Sequence, residues 1–384
     1  MLNFFSRPPL DRVAFWGISW YGILIVAGIL AALYISGREE KRLALPEDTA
    51  MDLALWGIPL GVVGARLYSV LFRLDQYMED FWGIFNLKEG GLAIYGAILG
   101  GLLAAHIVAR RKRVRLASVL DMVAPGLVLA QAIGRWGNYI NMEAYGLRVS
   151  DAALQFFPFA VEIPVGQTWY WQLATFFYES VWDVLVFAAL LAMRRRLKRP
   201  GDTFCWYALF YGVGRTVIEG LRDDSLTVFN EFVRVSQILS ALACVAVVCF
   251  FCFRRYRRLT PPILLTLGAT LLALITSMVG EFERGAYADL FTLSQWLLGI
   301  LLTLNVVLGA LRLRGRFPIW LKALPFALAL AQLAVLAVGF GRLYDNNTLY
   351  VSVRQFACMA QMPVCAALLY FAPAPVRAPR HAQA

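Results

Sequence analysis

Long apolar stretches separated by short polar loops recur along the whole chain. A helix of about 20 apolar residues is long enough to cross the hydrocarbon core of a bilayer. Eleven stretches approach that length, and we predict a membrane helix in each of them. They lie near residues 13–36, 51–72, 91–109, 116–137, 171–193, 203–221, 232–253, 262–280, 291–311, 319–340 and 351–372. The pattern therefore predicts an all-α polytopic membrane protein.

Runs of basic residues alternate between the predicted loops. They follow predicted helices 1, 3, 5, 7 and 9, at residues 38–42, 110–115, 194–199, 254–258 and 312–316. The other loops carry only scattered basic residues, and cytoplasmic loops of membrane proteins are enriched in Lys and Arg. The alternation predicts that odd-numbered helices end in the cytoplasm, with the amino terminus outside and the carboxy terminus inside.

Composition and charge agree with this class. Of the 384 residues, 60% are hydrophobic and 16% are charged, which is typical of an integral membrane protein. The net charge of +11 comes from basic runs in loops, so no nucleic-acid partner is predicted.

The first apolar stretch is longer than the apolar core of a signal peptide and lacks a clear cleavage site, so we interpret it as a retained helix. Cysteines in apolar segments and only two histidines predict no metal site.

A change in composition at residues 260–262, Thr-Pro-Pro, divides the chain. We predict a seven-helix membrane core at 1–259, an accessory bundle of about four helices at 260–372 and a disordered tail at 373–384. The polar motifs all precede the division. We therefore expect the extension to be separable from the core and dispensable for activity.

Two loops on the predicted outer side carry structure of their own. The loop at 147–170 is long and mixes acidic, aromatic and proline residues, and we expect it to form a small external cap. The segment 73–90 combines acidic residues with Phe81 and Trp82, which is typical of an amphipathic arm lying on a membrane interface.

The densest group of polar residues, 134–146, follows the apolar run 116–133 of predicted helix 4. It contains an arginine, two asparagines and a glutamate. Ionisable groups at mid-bilayer cost about 2.5–3.5 kcal/mol each and are usually functional. Glycines in the same stretch permit close approach of a ligand, and amides orient polar head groups. The alternative is an ordinary polar helix end at the interface.

A second polar group lies on predicted helix 6. Arg215, Glu219 and Arg222 are spaced i, i+4 and i+7, so they share one helix face. The alternative is a surface ion pair with a snorkelling arginine. Helices 4 and 6 both end outside, and this topology allows Arg135 and Arg215 to meet in one cavity near the outer leaflet. Two guanidinium groups suit a lipid phosphate.

The two polar groups resemble the motifs of the prolipoprotein diacylglyceryl transferase family. The family signature reads Gly-Arg-x-Gly-Asn-Phe-x-Asn-x-Glu-x-x-Gly, and Tyr139 replaces its phenylalanine here. The matching positions are Arg135, Gly137, Asn138, Asn141, Glu143 and Gly146. The family's Gly-x-x-Arg-x-x-x-Glu-x-x-Arg run corresponds to residues 212–222. The resemblance covers roughly residues 13–258.

Other family elements match in part. Tyr21-Gly22, the Gly-x-Arg ending at Arg66 and the glycines of the third helix are similar, but Tyr95 stands where many members carry histidine. The absence of that histidine leaves the proton acceptor open. The resemblance implies catalytic roles for Tyr21, Arg135, Asn138, Glu143, Arg215 and Glu219. It implies substrate-binding roles for Arg66, Gly90, Gly91, Tyr95, Gly96, Arg135, Asn138, Asn141, Gly146 and Arg222.

The resemblance implies transfer of diacylglyceryl from phosphatidylglycerol to the thiol of the lipobox cysteine in a prolipoprotein signal peptide. This would be the first step of lipoprotein maturation, at the outer face of the bacterial plasma membrane, without a cofactor. The attacking thiol would belong to the substrate, which fits the lack of an obvious nucleophile in this chain. Two alternatives stay open at this point: a membrane transporter, for which repeated halves would be expected, and a catalytically inactive lipid-binding relative.

Overall fold

The computed structural model describes residues 5–74, 78, 81–86, 91–223, 227–228, 233–282, 293, 296–301, 303–305, 307–308, 318–341 and 348–371. The chain divides into two compact units, each assembled from separate segments. The first unit comprises Leu10–Asn141 and Ser180–Tyr207. The second unit comprises Met1–Pro9, Met142–Glu179 and Ala208–Ala384.

Helices form most of both units. In chain order they are α1 (Trp20–Arg42), α2 (Thr49–Leu71), α3 (Ile94–Arg111), α4 (Leu116–Asn141), α5 (Thr175–Met193), α6 (Asp202–Leu221), α7 (Val235–Tyr256), α8 (Pro261–Phe282), α9 (Ile319–Gly341), α10 (Thr348–Met359) and α11 (Gln361–Tyr370). A further helical stretch includes Trp296–Asn305.

Among the described residues, seven helices are long and apolar enough to cross a membrane. They are α1 to α5, α7 and the part of α9 that spans Ile319–Leu336. The prediction of an all-α polytopic membrane protein is confirmed. The number of additional membrane helices after residue 260 stays a prediction, and the predicted last span at 351–372 consists of two shorter helices, α10 and α11.

The first helix begins later than the apolar pattern predicts, because a short strand pair precedes it. β1 (Val13–Phe15) pairs antiparallel with β2 (Ile18–Ser19), and α1 begins at Trp20. The hydroxyl of Ser19 accepts a hydrogen bond from the backbone nitrogen of Gly22 at 3.1 Å, which caps the helix. The predicted start at residue 13 is therefore wrong.

The fifth helix also begins later than predicted. β3 (Ala160–Val165) and β4 (Thr168–Leu173) form an antiparallel hairpin in continuous register, turning at Gly166 with φ of 65°. Residues 168–173 are committed to cross-strand pairing, so α5 begins at Thr175 instead of 171. The hairpin includes the carboxy-terminal part of the predicted cap and continues three residues beyond it. Two further short strands, β5 (Thr227–Val228) and β6 (Val233–Arg234), pair before α7.

Small residues let the helices of the first unit approach closely. A Cβ added at Gly126 of α4 would lie 2.6 Å from the carbonyl oxygen of Ala32 on α1. A Cβ at Gly96 of α3 would lie 2.6 Å from the carbonyl carbon of Gly64 on α2. Close contact of this kind is the usual way in which membrane helices associate. Gly96 therefore has a packing role in the structure.

Ion pairs at two carboxylates, Asp52 and the buried Glu39, gather three basic runs at one end of the first unit. Glu39 accepts hydrogen bonds from Arg42, at 2.5 Å, and from Arg194. Lys112 lies 3.0 Å from Asp52, at the start of α2. The basic runs that follow α1, α3 and α5 thus lie at the same end of this unit.

Candidate functional site

The guanidinium group of Arg215 is held between two buried carboxylates in the second unit. Its Nη1 donates to both carboxylate oxygens of Glu179 on α5, at 3.2 and 3.0 Å. Its Nη2 lies 2.6 Å from Oε2 of Glu219, one turn further along α6. The side chains of Glu179 and Glu219 are only 4% and 2% exposed. A charge-assisted pair in such surroundings is strong and fixes the orientation of the planar group.

Arg222 extends this network towards the end of α6. Its Nη1 lies 3.6 Å from the same Glu219 oxygen that binds Arg215. Two arginines therefore converge on one carboxylate. Together with Glu179, the group contains two arginines and two glutamates and carries no net formal charge. The alternative of an exposed surface ion pair is wrong, because both carboxylates are buried.

Glu179 is the residue whose importance the sequence analysis missed. The sequence does not reveal that Glu179 and Arg215, 36 residues apart, are partners. The available signal was an acidic residue in the first turns of an apolar helix, where burial demands a cation.

Gly146 connects the end of the signature to the end of α6. Its backbone nitrogen donates to the carbonyl oxygen of Leu173 at 2.9 Å, and it pairs as an isolated bridge with Arg222. A Cβ at Gly146 would lie 2.8 Å from the carbonyl oxygen of Leu221. It would also lie 2.6 Å from Cβ of Leu173 and 2.8 Å from Cγ2 of Thr175, so glycine is required here.

Glu143 projects from a strained piece of backbone. Its neighbours Met142 and Ala144 both adopt left-handed conformations, with φ of 56° and 55°. Non-glycine residues in this region are uncommon, and they concentrate at functional sites. The hydroxyl of Thr175 donates to the carbonyl oxygen of Ala144 at 2.6 Å, which holds the segment in place. Glu143 itself is exposed.

The rest of the signature lies in the first unit, on α4. This helix continues to Asn141, four residues beyond the predicted end, so Arg135, Asn138 and Asn141 are helical and spaced three apart. Such spacing places them on one side of the helix. The helix is anchored near this point, because Trp136 Nε1 donates to the hydroxyl of Ser180 at 3.2 Å.

Tyr21 lies against the same part of α4. A Cβ added at Gly137 would lie 2.5 Å from Cδ2 and 2.9 Å from Cε2 of the Tyr21 ring. The ring thus packs directly on the backbone between Arg135 and Asn138. The structure brings together two positions, Tyr21 and Gly137, that only the family resemblance had connected.

Arg66 is buried and binds main-chain carbonyl groups. It donates to Ile84 at 2.8 Å, to Asn86 at 3.1 Å and to Gly91 at 3.2 Å, and also to Gly83. Gly91 has φ of 74°, a conformation that favours glycine. Arg66 thus ties α2 to the main chain at residues 83–91.

Three of these carbonyls, those of Gly83, Ile84 and Asn86, belong to the described part of the predicted arm. Residues 81–85 form a single 3₁₀ helix in which Trp82 and Phe85 are exposed. The acidic positions of the arm and Gly90 lie outside the described residues. Tyr95 packs near Tyr68, with ring centroids 6.1 Å apart.

The described site residues fall into three groups. Arg215, Glu219, Arg222 and Gly146 come together with Glu179, and Glu143 belongs to the same unit. Tyr21 packs on the helix that carries Arg135, Asn138 and Asn141. Arg66, Gly91 and Tyr95 lie near the arm. The expectation that Arg135 and Arg215 share one cavity stays a prediction.

Comparison with known proteins adds a family match. The family model described as prolipoprotein diacylglyceryl transferase matches residues 10–253. Similar proteins named phosphatidylglycerol–prolipoprotein diacylglyceryl transferase occur in several bacteria. The one from Oceanobacillus iheyensis is 39% identical over 259 residues, which cover 65% of this chain and 90% of the relative. The one from Enterococcus faecalis is 42% identical over 242 residues, covering 62% and 87%. The one from Limosilactobacillus reuteri is 37% identical over 271 residues, covering 67% and 96%.

Proposed function

This chain belongs to the prolipoprotein diacylglyceryl transferase family, and from that premise we propose the parts that its residues take in the reaction. The protein is a membrane transferase of lipoprotein biosynthesis that moves the diacylglyceryl group from phosphatidylglycerol to a prolipoprotein. The family match gives no support to the transporter alternative. The acceptor group, the roles of individual side chains and the orientation in the membrane are our proposals.

The acceptor in our proposal is the thiol of the lipobox cysteine, next to the signal peptide of the substrate. Its sulfur attacks the carbon of the diacylglyceryl unit that is bonded to a phosphate oxygen. The carbon–sulfur bond forms, the carbon–oxygen bond breaks, and glycerol phosphate leaves with the electron pair. The thiol gives up one proton. Negative charge grows on the leaving phosphate, so positive groups fixed beside it lower the barrier.

Arg215 is the residue to which we assign this charge stabilisation. The observation that carries the assignment is its guanidinium group, held by Glu179 and Glu219 from two helices. A group held rigidly before the reaction needs little reorganisation during it. Arg222 has the longer contact with Glu219, 3.6 Å, so it can shift towards a phosphate with less loss of pairing.

Residues of α4 bind the lipid in our proposal. Arg135 contacts the phosphate, and Asn138 and Asn141 bind glycerol hydroxyls, since amides can both donate and accept. Tyr21 is supported as a further site residue by its contact with Gly137. Glu143 balances the charge of Arg135, since Glu179 and Glu219 already balance Arg215 and Arg222.

Four other residues are supported more strongly in positioning roles. Arg66 and Gly91 hold the arm through hydrogen bonds, Gly96 permits packing of α2 and α3, and Gly146 ties the signature to α6.

For Tyr95 we propose that it orients a substrate and is not an obligatory base. A cysteine thiol has a pKa near 8.5 and supplies some thiolate at neutral pH without a strong base.

The orientation that we propose places the amino terminus and the site outside the plasma membrane and the carboxy terminus in the cytoplasm. The basic runs after α1, α3 and α5 lie at one end of the first unit, which supports a common cytoplasmic face.

We further propose a transferase core at 1–259, in line with the family match that ends at residue 253, and an extension at 260–372. The tail at 373–384 lies outside the described residues.

Transfer of labelled diacylglyceryl from phosphatidylglycerol to a lipobox peptide tests the role of Arg215. Arg215→Lys keeps the charge but cannot bind two carboxylates as a planar fork, so we expect at least a tenfold loss of kcat. Arg194→Lys is the matched control, because Arg194 also pairs with a buried glutamate, Glu39, and neither residue belongs to the proposed site. Equal activity of the two variants would contradict the assignment.

A further inference from the structure

A buried polar cluster connects α10 of the extension to the part of α6 that carries Arg215 and Glu219. On α7, Gln237 Nε2 donates to the carbonyl oxygen of Thr216 at 2.8 Å and to Gln355 Oε1 of α10 at 3.3 Å. Both glutamine side chains are fully buried. A hydrogen-bonded path therefore runs from the extension to the backbone next to Arg215.

The last turn of α6 is shaped to accept this cluster. A Cβ at Gly220 would lie 3.0 Å from Gln355 Oε1 and 3.4 Å from Gln237 Nε2, so glycine leaves room for both amides. The carbonyl oxygen of Gly220 accepts a hydrogen bond from Arg234 Nη1 at 2.9 Å. Carbonyls in the last turn lack partners within their helix. Side chains therefore hold the carbonyls of residues 216 and 220, on either side of Glu219.

The extension that presents Gln355 is itself held by a second network of buried amides. Asn305 Nδ2 donates to Gln332 Oε1 at 3.0 Å and to Gln361 Oε1 at 2.7 Å, and Gln361 Nε2 donates back to Asn305 at 3.1 Å. Gln332 also donates to the carbonyl oxygen of Ala357 on α10, at 3.3 Å. Connected polar networks of this kind make a packed structure rigid. Gln355 is thus presented from a fixed helix.

The polar character of α10 is more than membrane anchoring requires. Arg354, directly before Gln355, is also fully buried, and Ser352 is nearly so. Burying an ionisable side chain in a membrane protein is expensive and marks a functional segment by default. An accessory anchor would be satisfied by apolar residues at these positions.

We propose that the C-terminal extension is a positioning element of the transferase. Through Gln355 and Gln237 it fixes residues 216–220 of α6, and so holds Arg215 and Glu219 in the geometry that the reaction needs. This proposal rests on the charge-stabilising role proposed for Arg215. The proposal also replaces the expectation from the sequence that the extension is dispensable. Misplaced charges weaken stabilisation of the transition state more than binding of the lipid, so the effect belongs mainly to kcat.

The test uses the full-length chain and the peptide-transfer assay. Gln355→Met keeps the length of the side chain but removes the amide, and we expect kcat to fall about three- to tenfold, as for one or two lost hydrogen bonds. The KM for phosphatidylglycerol should change less than twofold. Val353→Ala, on the same helix but exposed, is the control and should match wild type. Membrane yield and Tm are measured for every variant.

A second pair of variants separates positioning from general damage. Gln237→Met should lower kcat at least as far as Gln355→Met, and the double variant should fall no further than Gln237→Met alone, because the two amides act in one path. If Gln355→Met does not reach the membrane, Gln355→Asn, which withdraws the amide by one carbon, replaces it. An unchanged kcat in a folded Gln355 variant overturns the inference. A kcat loss in the double variant equal to the product of the two single-variant losses also overturns it. Normal kcat in Arg215→Lys would instead refute the role of Arg215.

Discussion

Arg215 illustrates at the residue scale how a cation can be kept ready inside a membrane protein. Each of its terminal nitrogens is bound by a carboxylate from a different helix, and Arg222 approaches the same Glu219. Leaving one of these charges buried without its partner would be strongly destabilising. The network therefore fixes the side chain in the folded protein, and the same fixed charge can act on a phosphate.

Tyr95 gives a residue-scale prediction about the proton acceptor. We expect Tyr95→His to stay active and Tyr95→Phe to keep partial activity, because the ring contact with Tyr68 is retained and a free tyrosine, with a pKa near 10, is a poor base at neutral pH. Both variants are compared with wild type across a pH series in the peptide-transfer assay. Complete loss of transfer in a folded Tyr95→Phe protein would show that the hydroxyl is essential.

Gly137 gives a second prediction at this scale. An added Cβ would lie 2.5 Å from the Tyr21 ring, so Gly137→Ala should displace the ring and lower kcat/KM at least tenfold. At Gly134, one turn earlier, the nearest atom to an added Cβ is 4.0 Å away. Gly134→Ala should therefore lose much less activity. Similar losses in the two variants would mean that the Tyr21 contact is not what the glycine protects.

At the scale of elements, the apolar pattern predicts helices well and their beginnings less well. α1 and α5 begin late because residues 13–19 and 160–173 pair as strands. A run such as Thr168–Leu173 is aromatic and apolar enough to be continuous with a membrane helix in sequence, and only its partner strand distinguishes the two. The sequence does not identify partners at long range, such as Arg215 for Glu179 or Gln355 for Gln237.

Neighbouring glycines of α3 provide the element-scale prediction. A Cβ at Gly100 would lie 2.6 Å from the carbonyl carbon of Leu60 on α2, whereas a Cβ at Gly101 would meet nothing within 4 Å. Gly100→Ala should destabilise the protein by about 1–3 kcal/mol through overpacking. Gly101→Ala should be neutral or slightly stabilising, because alanine is the better helix former. Thermal unfolding in detergent measures both, and an equal Tm for the two variants would refute the close α2–α3 contact.

At the scale of the whole molecule, the sequence predicted the family, the membrane class and the reaction, because short motifs and long apolar runs are local. The sequence did not predict how the extension is held together. Its interior amides, Asn305, Gln332 and Gln361, are scattered singly among apolar residues, and only the folded chain brings them together. Orientation in the membrane depends on basic runs and stays a prediction.

Cysteine labelling tests that orientation. In a chain without its six native cysteines, Arg115→Cys should resist a membrane-impermeant maleimide added to intact cells, because its basic run is predicted to be cytoplasmic. Gln167→Cys, at the exposed turn between β3 and β4, should be labelled. A permeant maleimide should label both, which controls for accessibility. The reverse pattern would invert the proposed topology.

The central claim is that Arg215, held between Glu179 and Glu219, stabilises the phosphate that leaves. Its most direct test uses phosphatidylglycerol in which sulfur replaces one non-bridging phosphate oxygen, with the two diastereomers assayed separately. Sulfur accepts hydrogen bonds more weakly than oxygen, so one diastereomer should slow the wild-type enzyme at least several-fold more than the other, and Arg215→Lys should largely abolish that difference. The same ratio of diastereomer rates in wild type and Arg215→Lys would contradict the account.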